Sequence, residues 1–244
     1  EVTRVQAAGL HAGDYVPASP FDRAEWFALL GESRPDAFAL EAGETGARAS
    51  LALNRADGRV EALRNWYSFT WRPSAPAGAA GDAMLRELAQ SLKREAARVT
   101  LWPLPDEDGS ATRLAQAFRQ AGWAVVLEQC DENHVLNVGC RSFAEYWASR
   151  PGRLRTTLKR KAKKVEVEIV EKFDANLWEA YETIYAESWK PTEDEPDLLR
   201  RFAEAEGAAG RIRLGVARAD STPVAAQFWT VENGTAYIHK LAHL

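Results

Sequence analysis

The chain has 244 residues, 46% hydrophobic and 27% charged, with a net charge of −4. That is enough for one large or two ordinary globular domains, and it excludes a disordered or membrane-like composition. No apolar run approaches the ~18 residues of a membrane-spanning helix.

The opening residues Glu1-Val2-Thr3-Arg4-Val5 lack an initiator Met and the apolar core of a signal peptide. With Met84 the only methionine, the sequence reads as truncated at both ends. Phe21–Leu30 reads as a short helix, with Asp22 as its cap and Phe21, Trp26, Leu29 and Leu30 on its apolar side. Three strands follow, Ala37–Ala42, Ala47–Asn54 and Arg59–Asn65, separated by Gly43-Glu44-Thr45-Gly46 and Asp57-Gly58. The second separator is a strong hairpin turn, because both residues tolerate positive φ. Arg72 to Gly81 is rich in Pro, Gly and Ala and reads as a loop.

A helix starts at Asp82, with Leu85, Leu88, Ala89 and Leu92 at three- and four-residue spacing. Val99–Trp102 is a short strand stopped by Pro103 and Pro105, and Ser110 caps a further helix that Gly122 ends. Trp123–Cys130 and Val135–Cys140 read as a hairpin around Asp131-Glu132-Asn133-His134. In that register the only two cysteines, Cys130 and Cys140, fall far beyond disulfide reach. Two cysteines and four histidines also give no zinc-site spacing, so no metal is expected and a reducing cytoplasm fits best.

The second half opens with helical segments Ser142–Ser149 and Pro151–Lys163. Residues 150–164 carry eight Lys or Arg and no acid, so the remaining residues sum to −12. Leu154, Leu158 and Ala162 recur every four residues, giving an amphipathic helix with a basic wet face. Nucleic acid is one reading of that face; a solvated helix near an anionic substrate or membrane surface is the other. Val165–Val170 alternates as a strand with one wet face, and helices from Asp174 to about Ser188 and from Pro196 to Glu206 follow. Three strands close the chain: Arg211–Arg218, Pro223–Val231 and Thr235–Leu244.

Laid side by side, the halves are segments of one layout: strand, two helices, three antiparallel strands, helix, strand, helix, two strands. That layout resembles the GNAT acyltransferase fold, and a tandem pair resembles its FemAB-like branch. The resemblance is carried by Glu187-Ser188-Trp189-Lys190-Pro191-Thr192-Glu193 after a helix, by Thr222–Trp229, and by His239-Lys240-Leu241-Ala242. Segments of this kind in this order resemble GNAT proteins with a BioF-type acetyltransferase domain, including CelD-type cellulose-biosynthesis relatives. The first half matches by element order and by Leu63-Arg64-Asn65-Trp66-Tyr67-Ser68. The resemblance thus implies an α+β fold of tandem GNAT-like units, 1–141 and 142–244, the second ending after its fourth strand.

It also implies a function: transfer of an acyl, foremost acetyl, group from acyl-CoA to a small-molecule, glycan or peptide amine, with no metal. In the family the fourth strand offers backbone groups to the pantetheine arm, and a Gly-bearing loop with a helix N-terminus holds the pyrophosphate. Tyr237, Ile238, His239, Lys240 and Leu241 take the fourth-strand place. In the first half only Gly78-Ala79-Ala80-Gly81 could serve as the loop, so that half reads as a non-binding copy.

His239 and Lys240 are neighbours on a strand, which sends their side chains to opposite faces. His239 could take the amine proton as general base or be a strand residue held by a local hydrogen bond. Lys240 could bind a substrate carboxylate or phosphate. Trp189, Lys190 and Glu193 line the acceptor site by resemblance; otherwise Trp189 is core and Lys190 sits on a helix C-terminus. Gln227, with Ala225 and Trp229 inward, contacts substrate or joins a structural network. Two rival functions share the fold: a FemAB-like transferase using aminoacyl-tRNA, motivated by the basic run, and a non-catalytic scaffold in envelope or polysaccharide assembly.

Overall fold

The computed structural model describes residues 1–10, 17–44 and 46–244, and the chain forms two compact units, Glu1–Asp131 and Glu132–Leu244.

In the N-terminal unit, β1 (Val2–Gln6), β2 (Ala37–Glu44), β3 (Ala47–Ala56) and β4 (Arg59–Ala62) form an antiparallel run, and β5 (Val99–Thr100) joins β4 in parallel. The Val2/Thr3/Val5 strand was not among the elements read from sequence. Asp57 and Gly58 both adopt positive φ, as the two-residue hairpin requires. Of the Gly43-Glu44-Thr45-Gly46 separator, Thr45 lies outside the described residues. The helix expected at Phe21–Leu30 is split. Ser19 caps a 3-10 turn at Pro20–Asp22 in a capping box with Asp22, and α1 runs Ala24–Glu32.

α2 (Gly78–Glu95) buries Leu85, Leu88, Ala89 and Leu92 and packs on β2 and β3. Gly78-Ala79-Ala80-Gly81 is therefore the first turn of a helix rather than part of a loop. α3 (Ser110–Gln120) packs on α2 and is capped by side chains that precede it, not by Ser110. Asp108 Oδ1 accepts from the Ser110 N–H at 2.9 Å and Asp106 Oδ1 from the Thr112 N–H at 2.8 Å.

The expected hairpin over Trp123–Cys140 does not form. Residues 123–140 carry no strand pairing, and Val126, Leu127, Val135, Leu136 and Val138 are exposed. Their alternation is real, but a hairpin alone in water is marginal without a sheet to lie on. Trp123 is tied down, donating from Nε1 to the Ala89 carbonyl at 2.8 Å. Cys130 and Cys140 are exposed thiols.

The C-terminal unit begins with α4 (Phe143–Ala148), capped by a Ser142/Glu145 box, and α5 (Gly152–Lys161); neither buries a residue. β6 (Glu166–Val170), β7 (Ile212–Ala219), β8 (Thr222–Glu232) and β9 (Thr235–His243) then form an antiparallel sheet in that order. α6 (Ala175–Glu187) and α7 (Pro196–Ala208) lie between β6 and β7 in sequence and cover one sheet face. Trp178, Tyr181, Ile184, Leu199 and Phe202 meet Ile212, Leu214, Val216, Ala226, Phe228 and Thr230 there, all buried.

The opposite face carries Val167, Ile169, Gln227, Ile238 and Leu241, which are exposed, beside half-buried Gly215 and Trp229. β6 was expected to have one wet face; both of its faces are wet, because α6 and α7 shelter only Val170 partly. Likewise the Ala225/Gln227/Trp229 side of β8 faces outward, and its inward residues are Ala226, Phe228 and Thr230. Among the described residues no helix is long and apolar enough to cross a membrane.

Candidate functional site

The candidate residues converge where the end of α6, the turn after it and the edge strand β9 meet. Asp174 starts α6 by accepting from the Leu177 N–H at 3.0 Å, and the inward stripe then places Tyr181 and Tyr185 one turn apart. The helix stops at Glu187, where Ser188 turns its hydroxyl back to the Tyr185 carbonyl at 2.7 Å. Pro196 at the first position of α7 begins the next helix. The eight residues between the helices fold back over α6 and bring Glu193 onto Tyr181. Its Oε2 accepts from the Tyr181 hydroxyl at 2.8 Å and its Oε1 from Lys240 Nζ at 2.6 Å. The Lys240 ammonium also lies 5.1 Å from the centre of the Tyr185 ring.

This pair is largely out of water: the side chains of Lys240 and Glu193 keep 9% and 13% of their exposure. Burial pushes the Lys240 pKa down while Glu193 pulls it back up. Burial, followed by the Glu193 charge, raises the Tyr185 hydroxyl. Both oxygens of the carboxylate are occupied by donors, so the arrangement is a desolvated ion pair with a phenol anchor.

The neighbours on β9 do not alternate as a regular strand would. Phe228 pairs with Lys240 and Trp229 with Ile238, which leaves His239 as the extra residue of a β-bulge. The bulge turns His239 and Lys240 to the same face, correcting the opposite-face expectation. His239 stacks on Phe228 at 4.9 Å, meets Phe202 edge-on at 5.4 Å and shares a 2.7 Å hydrogen bond with buried Thr230 through Nε2. Enclosure of the ring, with Lys240 adjacent, drives its pKa down to about 3, so the imidazole is neutral at physiological pH.

Lys190 lies near enough to Lys240 for its charge to lower the Lys240 pKa further. Trp189 is 77% exposed, which removes the core alternative, and Lys190 sits 5.8 Å from its ring centre. Gln227 is exposed on the open face of the sheet and accepts from Trp229 Nε1 at 2.8 Å. Of the proposed backbone contacts, Tyr237, Ile238, His239, Lys240 and Leu241 all lie on β9, which has a strand on one side only among the described residues. Sequence reasoning passed over Tyr181, Tyr185 and Thr230. The signal was available: a Tyr in an apolar stripe, or a Thr on an inward strand position, must find a hydrogen-bond partner. No grouping of three or more His, Cys, Asp or Glu able to hold a metal occurs among the described residues.

Residues 152–244 match the family model of the acetyltransferase (GNAT) domain. Among solved structures, the chain is similar to the C-terminal domain (DUF2156) of a protein from Agrobacterium fabrum assigned as a lysylphosphatidylglycerol synthetase. The TM-score is 0.50 at 13% identity, over 90% of this chain and 62% of that one. The chain thus spans less than two thirds of that structure; the likeness shows a shared mixed α+β fold, and the acetyltransferase (GNAT) match is carried by residues 152–244. No curated protein matches the sequence significantly.

Proposed function

We propose that the chain is an N-acyltransferase in which the C-terminal unit takes acyl-CoA, acetyl-CoA foremost, along β9 and passes the acyl group to an amine. The observation that carries this is the bulged edge strand β9 beside the Glu193–Lys240 pair, within the segment that matches the acetyltransferase domain. An edge strand can bond the amides of an extended pantetheine arm as it would another strand. The amine nitrogen attacks the thioester carbon, the C–S bond breaks, and the thiolate leaves to accept a proton. A backbone N–H of β9 stabilises the oxyanion.

His239 is assigned a positioning role in this scheme. A neutral, ring-enclosed imidazole with a pKa of about 3 is a weak base at pH 7, and its hydrogen bond to Thr230 fixes the bulge that aims Lys240. A water relay then takes the amine proton. Lys240 and Glu193 form the polar wall of the acceptor site, and exposed Trp189 with Lys190 forms its rim. Gln227 stands on the far side of the sheet, and we place it outside the acceptor site.

The N-terminal unit serves as a non-binding copy. Beyond β4 its chain turns inward, with Trp71 fully buried, its N–H bonded to the Pro103 carbonyl at 2.7 Å and its Nε1 to the Ala52 carbonyl at 2.9 Å. The start of α2 is likewise filled: Arg113 donates to the Pro76 carbonyl at 2.6 Å and pairs with Asp82 at 2.5 Å.

Calorimetric titration with acetyl-CoA tests the donor. Saturable binding is expected, and absence of binding by any acyl-CoA would end this reading. A second reading keeps the fold and uses aminoacyl-tRNA as donor, favoured by the basic run at 150–164. It requires charged tRNA to bind with steep salt dependence.

A further inference from the structure

The amphipathic helix α5 has an apolar stripe that no described residue of the C-terminal unit buries. Leu154 and Leu158 are 48% and 47% exposed, and every other residue of α5 is exposed except half-buried Thr157. At about 100° per residue the two leucines form one line; Arg153 and Arg160 flank it on one side, Arg155 and Lys159 on the other. Lys161, Lys163 and Lys164 follow, and no acid occurs between 150 and 164. Just before α5, α4 presents Phe143 at 73% exposure, stacked on Trp147 at 6.0 Å, while Arg150 lies 4.6 Å over the Tyr146 ring.

We propose that α4 and α5 form a docking element for an anionic phospholipid surface, with the leucine line and Phe143 inserted at the acyl boundary and the flanking cations on the headgroups. Two features select this occupant. The eight cations of 150–164 against the single carboxylate of the element, Glu145 in the α4 capping box, complement a negatively charged surface, at about 1 kcal/mol per Lys or Arg near the membrane. The leucine line runs between the cations, and a phosphate backbone has no use for buried aliphatic area, whereas the lipid interface does. This assignment stands on the helix alone and does not depend on the identity of the acyl donor.

The test is cosedimentation of the full 244-residue chain with vesicles of phosphatidylglycerol and phosphatidylcholine in equal parts, against vesicles of phosphatidylcholine only. Binding to the anionic vesicles alone is expected, weakened by salt. Arg153→Gln/Arg155→Gln/Lys159→Gln should weaken it on the order of 100-fold at low salt. Leu154→Ser/Leu158→Ser should weaken it by roughly tenfold or more. Both variants alter exposed positions, and an unchanged thermal melt establishes that the fold is intact. Failure to partition into anionic vesicles overturns the proposal. So does partition that is indifferent to the leucine pair, or binding to unfractionated tRNA without any to vesicles.

Discussion

Removing Lys240 should loosen the C-terminal unit more than any surface charge change. The ammonium and the Glu193 carboxylate lie 2.6 Å apart with little solvent access. Lys240→Met leaves a mostly buried carboxylate with the Tyr181 hydroxyl as its anchor. Loss of one partner of a buried pair typically costs ~3–5 kcal/mol. The residual exposure and the phenol place this case near the low end, at about 3 kcal/mol. Glu193→Gln keeps an acceptor for Tyr181 but strands a desolvated ammonium, at a cost of roughly 2 kcal/mol. The double variant removes both charges together, so its loss should fall short of the sum by about 2 kcal/mol. Amide exchange over Ala175–Glu187 and Thr235–His243 reads this unit specifically, and 3 kcal/mol is on the order of 100-fold faster exchange through local opening. Single losses within about 0.5 kcal/mol of the parent, or strictly additive ones, would mean that the pair behaves as a screened surface contact and would refute the reasoning.

The same unit should lose stability in mild acid. His239 titrates near 3 when folded and near 6.5 when unfolded, so below pH 6.5 the unfolded chain binds the extra proton and stability falls until about pH 3. Between pH 7 and pH 5 that amounts to about 2 kcal/mol at most. His239→Gln, which keeps a partner for Thr230, should flatten this part of the pH profile in urea titrations; an unchanged profile would contradict the enclosed-imidazole account. Gly207→Ala should also destabilise, because a Cβ there would lie 2.6 Å from Phe173 Cβ and backbone N. A loss of about 1–3 kcal/mol is expected in the same titration, and a neutral effect would mean that α7 shifts freely.

Much of the fold was legible because local chemistry and tertiary packing agree. Asp57-Gly58 fixes its hairpin, Leu85 through Leu92 define the buried stripe of α2, and the Asp174 cap and Pro196 set the starts of α6 and α7. The misreadings occur where a pattern needs a partner that the pattern does not contain. Val126 and Val135 alternate like strand residues yet lie unpaired, and Val167 and Ile169 face solvent although they look like a core face. At the candidate site, strand periodicity correctly grouped Lys240 with β9. The bulge at His239 broke that periodicity, and no residue type announces a bulge built on histidine. The pairing of Glu193 with Lys240 spans 47 residues and follows only from the chain turning back after α6.

If β9 receives the pantetheine arm of an acyl-CoA, coenzyme A itself is the sharpest probe, because it carries that arm without prejudging the acyl group. Hydrogen exchange of the full chain with and without coenzyme A should show new protection concentrated in Thr235–His243, with the N-terminal unit unchanged. Protection confined to Glu1–Asp131, or none at saturating coenzyme A, would mean that β9 does not receive the arm.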